Sequence, residues 1–107
     1  MVKINGETWR IFLVSPNHPM VMRENGQYAL GSCDDISKGI YIIDGLETNK
    51  FKKVLCHELT HAAMYSYNVN LTIEQEELLA DLIATYGQEI IQETNRIFIR
   101  LKGERLV

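Results

Sequence analysis

Five consecutive residues, His57-Glu58-Leu59-Thr60-His61, constrain this chain more than any other stretch. The residues around them (Val54, Leu55, Leu59, Ala62, Ala63) suit a helix. On a helix, side chains four apart stack on one face with Cβ atoms about 5–6 Å apart. Two imidazoles so placed reach a single zinc ion at roughly 2.0–2.1 Å. Glu58, one residue round from His57, is set to face a water on the open side of that ion. One helical turn thus supplies two ligands and a general base. The chain has three histidines, and two of them make this pattern.

A catalytic zinc takes three protein ligands and keeps one position open. The segment Glu74-Gln75-Glu76-Glu77-Leu78-Leu79-Ala80-Asp81 offers the third. Glu77 and Asp81 are four apart and share a face of a second expected helix. Glu77 is the expected ligand, with Asp81 accepting a hydrogen bond from the free ring N–H of a ligating histidine. Glu76 is its rival. Glu74 and Glu76 also have a plainer reading, because carboxylates are favoured at a helix N-terminus by its dipole.

His57-Glu58-x-x-His61 followed by Glu77-x-x-x-Asp81 resembles the gluzincin pattern of zinc metallopeptidases. The context Leu55-Cys56-His57-Glu58-Leu59-Thr60-His61-Ala62 and the segment Glu77-x-x-Ala80-Asp81 resemble the compact ImmA/IrrE-like metallopeptidases of phages and mobile elements. The resemblance covers about residues 40–88. It implies a zincin-like fold and zinc as cofactor. It also implies a specific cytoplasmic protein as substrate, such as a transcriptional repressor of a mobile element.

A chain of 107 residues is expected to form one domain spanning 1–107. Its net charge of −3 gives no reason to expect nucleic acid as a partner. Arg96, Arg100, Lys102 and Arg105 read as a solvated helix face near a C-terminus. The first seven residues lack the apolar stretch of a signal peptide, and no window approaches a membrane span. Two cysteines and no leader suit a reducing cytoplasm. Cys56 points about 100° away from His57 on a helix, so it reads as filler. Cys33 is placed near a loop, as a small residue rather than a regulatory thiol.

The expected fold class is α+β: an N-terminal sheet of three to four mostly antiparallel strands, then two long helices carrying the metal site. Asn5-Gly6 marks a two-residue hairpin turn between Val2–Ile4 and Thr8–Val14. Met20–Glu24 and Gln27–Gly31 read as extended segments around Asn25-Gly26. The run Gly39-Ile40-Tyr41-Ile42-Ile43-Asp44 is the clearest strand. Ile40, Tyr41 and Ile42 are candidates for pairing with an extended substrate, if that strand lies at a sheet edge. The alternative is an ordinary sheet strand. Thr48 or Asn49 is expected to cap the first helix, which ends near Tyr67 with Asn68 as the stop. Thr72 and Gln75 form a capping-box pattern for a second helix from Ile73 to about Leu101, with Gly87 as a weak point.

His18 lies between Asn17 and Pro19, as a surface residue or a stabiliser of a reaction intermediate. Tyr65, Tyr67 and Tyr86 are candidates for the latter role, with core packing as their default. The function these features indicate is zinc-dependent peptide hydrolysis with Glu58 as general base. The alternative is a non-enzymatic zinc-bearing adaptor or interaction module, and a weaker one is an accidental motif in a helical interaction module.

Overall fold

The computed structural model describes residues 1–103, so Arg105 lies outside the described residues. The chain is α+β, with a four-stranded mixed sheet followed by helices. Strand β1 (Val2–Ile4) turns into β2 (Glu7–Val14) through Asn5 and Gly6, both at positive φ (47° and 80°). Two successive left-handed residues are what a tight hairpin of this twist requires, and Asn-Gly supplies them at little cost. β3 (Gly31–Asp34) and β4 (Gly39–Ile43) complete the sheet. The strand order is β1-β2-β4-β3. β2 and β4 run parallel, pairing Ile11 with Ile40 and Leu13 with Ile42, and the other two pairings are antiparallel.

This order corrects one expectation. β4 is an interior strand, hydrogen-bonded on both sides, so Ile40, Tyr41 and Ile42 have no backbone to offer a substrate. Ile40 and Ile42 are fully buried with Trp9 and Ala62 in the main core. Their β-branched, apolar character is that of a central strand with both faces covered. The edge beside them is β3. The preceding stretch also differs from expectation. Met22 and Tyr28 form a lone bridge around a short 3-10 turn at Glu24–Gly26.

Helix α1 (Thr48–Ser66) lies across the sheet and packs on β3 and β4. Its cap is Glu47, whose carboxylate accepts from the N–H groups of Asn49 and Lys50 at 3.0 and 3.2 Å. Thr48 and Asn49 are already inside the helix. These two bonds hold the Glu47 carboxyl below its ordinary range. The helix ends at Tyr67, and Asn68 takes the left-handed conformation (φ 54°). The end of α1 is tied to the sheet. Buried Trp9 Nε1 donates to Ser66 Oγ at 2.8 Å, and Asn5 Nδ2 donates to Ser66 O at 2.9 Å.

Thr72 caps α2 (Ile73–Leu82) with a complete capping box to Gln75. The expected single long helix is interrupted. A π-helical turn occupies Ile83–Gly87, and helical backbone resumes in α3 (Gln88–Gly103). The π turn ends at Gly87, where an added Cβ would sit 3.3 Å from Ile83 Cγ2. This turn packs back on α1. An inserted residue there changes the phase of the helix, so the face that meets α1 does not continue into α3. No helix among the described residues is long and apolar enough to cross a membrane.

Candidate metal centre

α1 and α2 lie side by side, and the centre forms between them. His57 and His61 project from one face of α1, with their Nε2 atoms 3.1 Å apart. Glu77 of α2 reaches both. Its Oε1 is 2.9 Å from His61 Nε2 and its Oε2 is 3.2 Å from His57 Nε2. The three side chains form a group able to hold a metal ion, with one donor atom each inside 4.8 Å of the others. A tetrahedral ion with ligands at about 2.05 Å spaces its donors about 3.3 Å apart. The observed spacing is close to that.

The far sides of the two rings explain why the near sides face inward. His57 Nδ1 is 2.9 Å from Asp81 Oδ1. His61 Nδ1 is 2.6 Å from Glu76 Oε1. A carboxylate can only accept, so each Nδ1 carries the proton. In the neutral rings, both Nε2 atoms are then lone-pair donors, directed at each other and at a third donor, Glu77. Three electron-rich atoms converging in this way repel unless a metal ion or a ring proton lies between them. The donor set therefore fits a metal ion.

Asp81 lies where its spacing from Glu77 places it. Glu76 does not behave as a mere N-terminal carboxylate. It holds His61 in the same way that Asp81 holds His57, and it is the more buried of the two acids. Sequence reasoning set Glu76 against Glu77 as rivals for one role. Consecutive helix residues point about 100° apart, and here that angle carries one carboxylate to the inner side of the His61 ring and the other to its outer side. The signal was the Glu76-Glu77 pair itself, with two histidine rings to serve. Glu74 is exposed and touches neither ring.

Glu58 is 7 % exposed and sits beneath β3. Burial pushes its carboxyl above the ordinary range, while His57 and His61 draw it partly back. The strand can approach so closely because residue 31 is glycine. A Cβ there would stand 2.7 Å from Val54 Cγ1 and 3.0 Å from Glu58 Cγ.

A cleft of about 600 Å³ opens over the centre, walled by His57, Glu58, His61 and Glu77 and by Gly31 and Cys33 of β3. Ile43 N–H donates to Leu30 O at 3.0 Å. Antiparallel pairs alternate between bonded and unbonded, so the backbone groups of Gly31 and Cys33 turn away from β4. Arg23 and Tyr65 also border the cleft. Tyr65 stacks on Trp9 (6.2 Å between ring centroids), and burial raises its hydroxyl pKa. Tyr67, Tyr86 and His18 do not line the cleft. His18 stacks on Tyr41 at 5.4 Å, and its Nδ1 accepts from Met20 N–H. The Cys33 thiol is pushed up to about 12, chiefly by burial, and is not a nucleophile at neutral pH. Cys56 is half-buried and borders a separate shallow depression with Lys52 and Lys53.

Neither a family model, nor a curated protein, nor a solved structure matches this chain.

Proposed function

We propose that this chain is a zinc-dependent peptidase of the ImmA/IrrE-like kind, acting on a cytoplasmic protein. One observation carries the reading: a three-donor metal group beside a buried carboxylate, in a cleft bordered by a strand edge that is unpaired among the described residues. Two imidazoles and one carboxylate suit zinc, with cobalt or manganese as possible substitutes. When bound, such an ion supplies a Lewis acid that polarises a carbonyl and acidifies water.

The chain's own residues account for the rest. Asp81 and Glu76 hold the two rings in the tautomer that leaves Nε2 free to ligate. Glu58 takes a proton from water in the cleft and returns it to the departing amine. Burial raises its pKa above the ordinary carboxylate value, the direction that favours a group which must hold a proton between accepting and releasing it. The free edge of β3 pairs with the substrate main chain through Gly31 and Cys33, which orients a peptide bond without selecting a side chain. β3 takes the place that the sequence assigned to Ile40, Tyr41 and Ile42.

A structural zinc site is closed by four protein ligands. A three-donor group beside an ionisable carboxylate favours catalysis over the adaptor reading. The test is hydrolysis of a proteome-derived peptide library by zinc-loaded protein, with and without chelator. Cleavage that is lost with chelator and lost in metal-loaded Glu58→Gln supports the proposal. Stoichiometric zinc without cleavage of any peptide or protein substrate favours the adaptor.

A further inference from the structure

The cleft over the metal centre has a basic end. Arg23, Lys50 and Lys53 border it together with His57 and His61. On α1, at 100° per residue, Lys50, His57 and His61 fall within an arc of about 40°, and Lys53 lies about 40° beyond His57. At 1.5 Å per residue, Lys53 precedes His57 by about 6 Å along the axis and Lys50 by about 10.5 Å. The two lysines thus stand one and two turns before the centre, towards the start of the helix. Arg23 belongs to a different element. It lies in the ribbon that leads into β3, where Ala29 N–H donates to Val21 O at 2.8 Å and Arg23 N–H donates to Gln27 O at 2.6 Å. β3 then begins at Gly31, against Val54, one turn on from Lys50.

No acid of the described chain pairs with these three cations. No carboxylate among the described residues lies within salt-bridge distance of Arg23, Lys50 or Lys53. Glu47, three residues before Lys50, is turned to the N–H groups of Asn49 and Lys50. Glu76, Glu77 and Asp81 are engaged with the histidine rings, and Glu58 is buried. The Arg23 guanidinium is held by one nitrogen only. Its Nη1 donates to Met22 O at 3.2 Å and to Met20 O at 3.5 Å. The Nε–Nη2 edge keeps two parallel donors, the arrangement that matches a carboxylate. A planar fork on one element and two ammonium groups on another suit a single acidic group between them.

We propose that this end of the cleft selects substrates by an acidic group, an Asp or Glu side chain or the peptide's own terminal carboxylate, with Arg23 as the fork and Lys50 and Lys53 as the flanking charges. This rests on the reading of the cleft as a peptide site. The edge of β3 orients a main chain without choosing a side chain, so selectivity falls to groups such as these. An extended peptide advances about 3.3 Å per residue. The acid therefore sits about two to three residues from the bond over the centre. A nucleic acid is the poorer match, because its further phosphates would run on over Glu77 and Asp81, whereas one carboxylate meets the basic end alone.

The experiment is retention of degenerate decapeptide libraries on immobilised Glu58→Gln protein, with zinc and again with chelator. One library is amidated at the C-terminus and the other is free. The best-retained peptides are sequenced, resynthesised with each acid changed to its amide, and titrated by fluorescence anisotropy. One such change, Glu to Gln or Asp to Asn within the peptide, or amidation of its terminus, should weaken binding about tenfold, the scale of one charge-assisted hydrogen bond. Which of the two does so identifies the source of the carboxylate. Arg23→Gln, and separately Lys50→Gln/Lys53→Gln, should remove most of that difference, and Arg23→Glu should retain peptides with Lys or Arg instead. All three positions are exposed, and circular dichroism verifies that each variant is folded. Libraries retained without regard to acidic groups, no retention at all, or a preference for acids that survives both sets of changes overturns the proposal. Cleavage by the wild type with no acidic preference sinks this inference and leaves the peptidase standing. Acidic peptides that are retained and never cleaved sink the peptidase and leave this inference standing.

Discussion

Glu58 Oε2 lies 3.1 Å from the point where a Cβ on Gly31 would stand. The strand that borders the cleft and the carboxylate proposed as its base are therefore in direct contact, with no room between them for a methyl group. This contact buries Glu58 and sets the distance between the free edge of β3 and the two histidines.

Gly31→Ala should push β3 and α1 apart. The new methyl would meet Val54 Cγ1 at 2.7 Å. Overpacking of this kind costs about 1–3 kcal/mol. Trimming the obstacle should recover part of the loss, so Gly31→Ala/Val54→Ala should be more stable than the sum of the single changes. A double-mutant cycle by urea denaturation measures the coupling. Strict additivity would mean that the strand does not rest on Val54.

The two outer carboxylates and the inner one should separate by metal affinity. Glu77→Gln should remove nearly all binding. Glu76→Gln and Asp81→Asn should weaken it by about 10–100-fold, the usual effect of losing a group that orients a ligating histidine. Competition with a chromogenic chelator gives the three constants. If Glu76→Gln loses metal and Glu77→Gln keeps it, the two roles must be exchanged.

Glu58→Gln should stabilise the metal-free protein at neutral pH while abolishing turnover. Burial raises the carboxyl pKa above its ordinary 4.5, so the folded state disfavours the ionised form. For a raised acid, the stability present at low pH is lost as pH climbs through the folded value. Glutamine is neutral throughout. The advantage of the variant should thus be absent below about pH 4.5 and open as pH rises. Thermal melts in chelator across pH 4 to 8 read this directly, and a variant less stable than wild type at pH 8 would contradict it.

Ser66→Ala should loosen the hold of α1 on the sheet. It leaves the buried Trp9 Nε1 without its acceptor at 2.8 Å. An unpaired buried donor costs about 1–3 kcal/mol. For a domain of this size that lowers Tm by several degrees, at roughly 4–8 °C per kcal/mol. An unchanged Tm would mean that water takes over the bond.

Much of this arrangement was legible in the residues. The Asn5-Gly6 turn, the Thr72–Gln75 cap, the Asn68 stop and the two histidines on one helical face follow from local geometry that a few neighbours dictate. β3 was not legible. Gly31-Ser32-Cys33-Asp34 has little β-propensity, and it becomes a strand because β4 offers it a ladder and α1 offers it a floor. Glu47 replaced Thr48 and Asn49 as the cap because its longer side chain reaches two N–H groups at once. The order of the strands was equally out of reach. An apolar run such as Ile40–Ile43 has the same pattern whether it has one neighbour or two.

The residue pattern alone put His57 and His61 on one helical face and Glu77 and Asp81 on another, because a four-residue spacing stacks side chains on any α-helix. The choice of Glu77 over Glu76 as the inner carboxylate, the placing of β3 rather than β4 beside the cleft, and the burial of Glu58 came from the assembled fold. Those outcomes depend on how α1, α2 and the sheet pack against one another. Contacts between residues distant in the chain set that packing, and no local pattern encodes it.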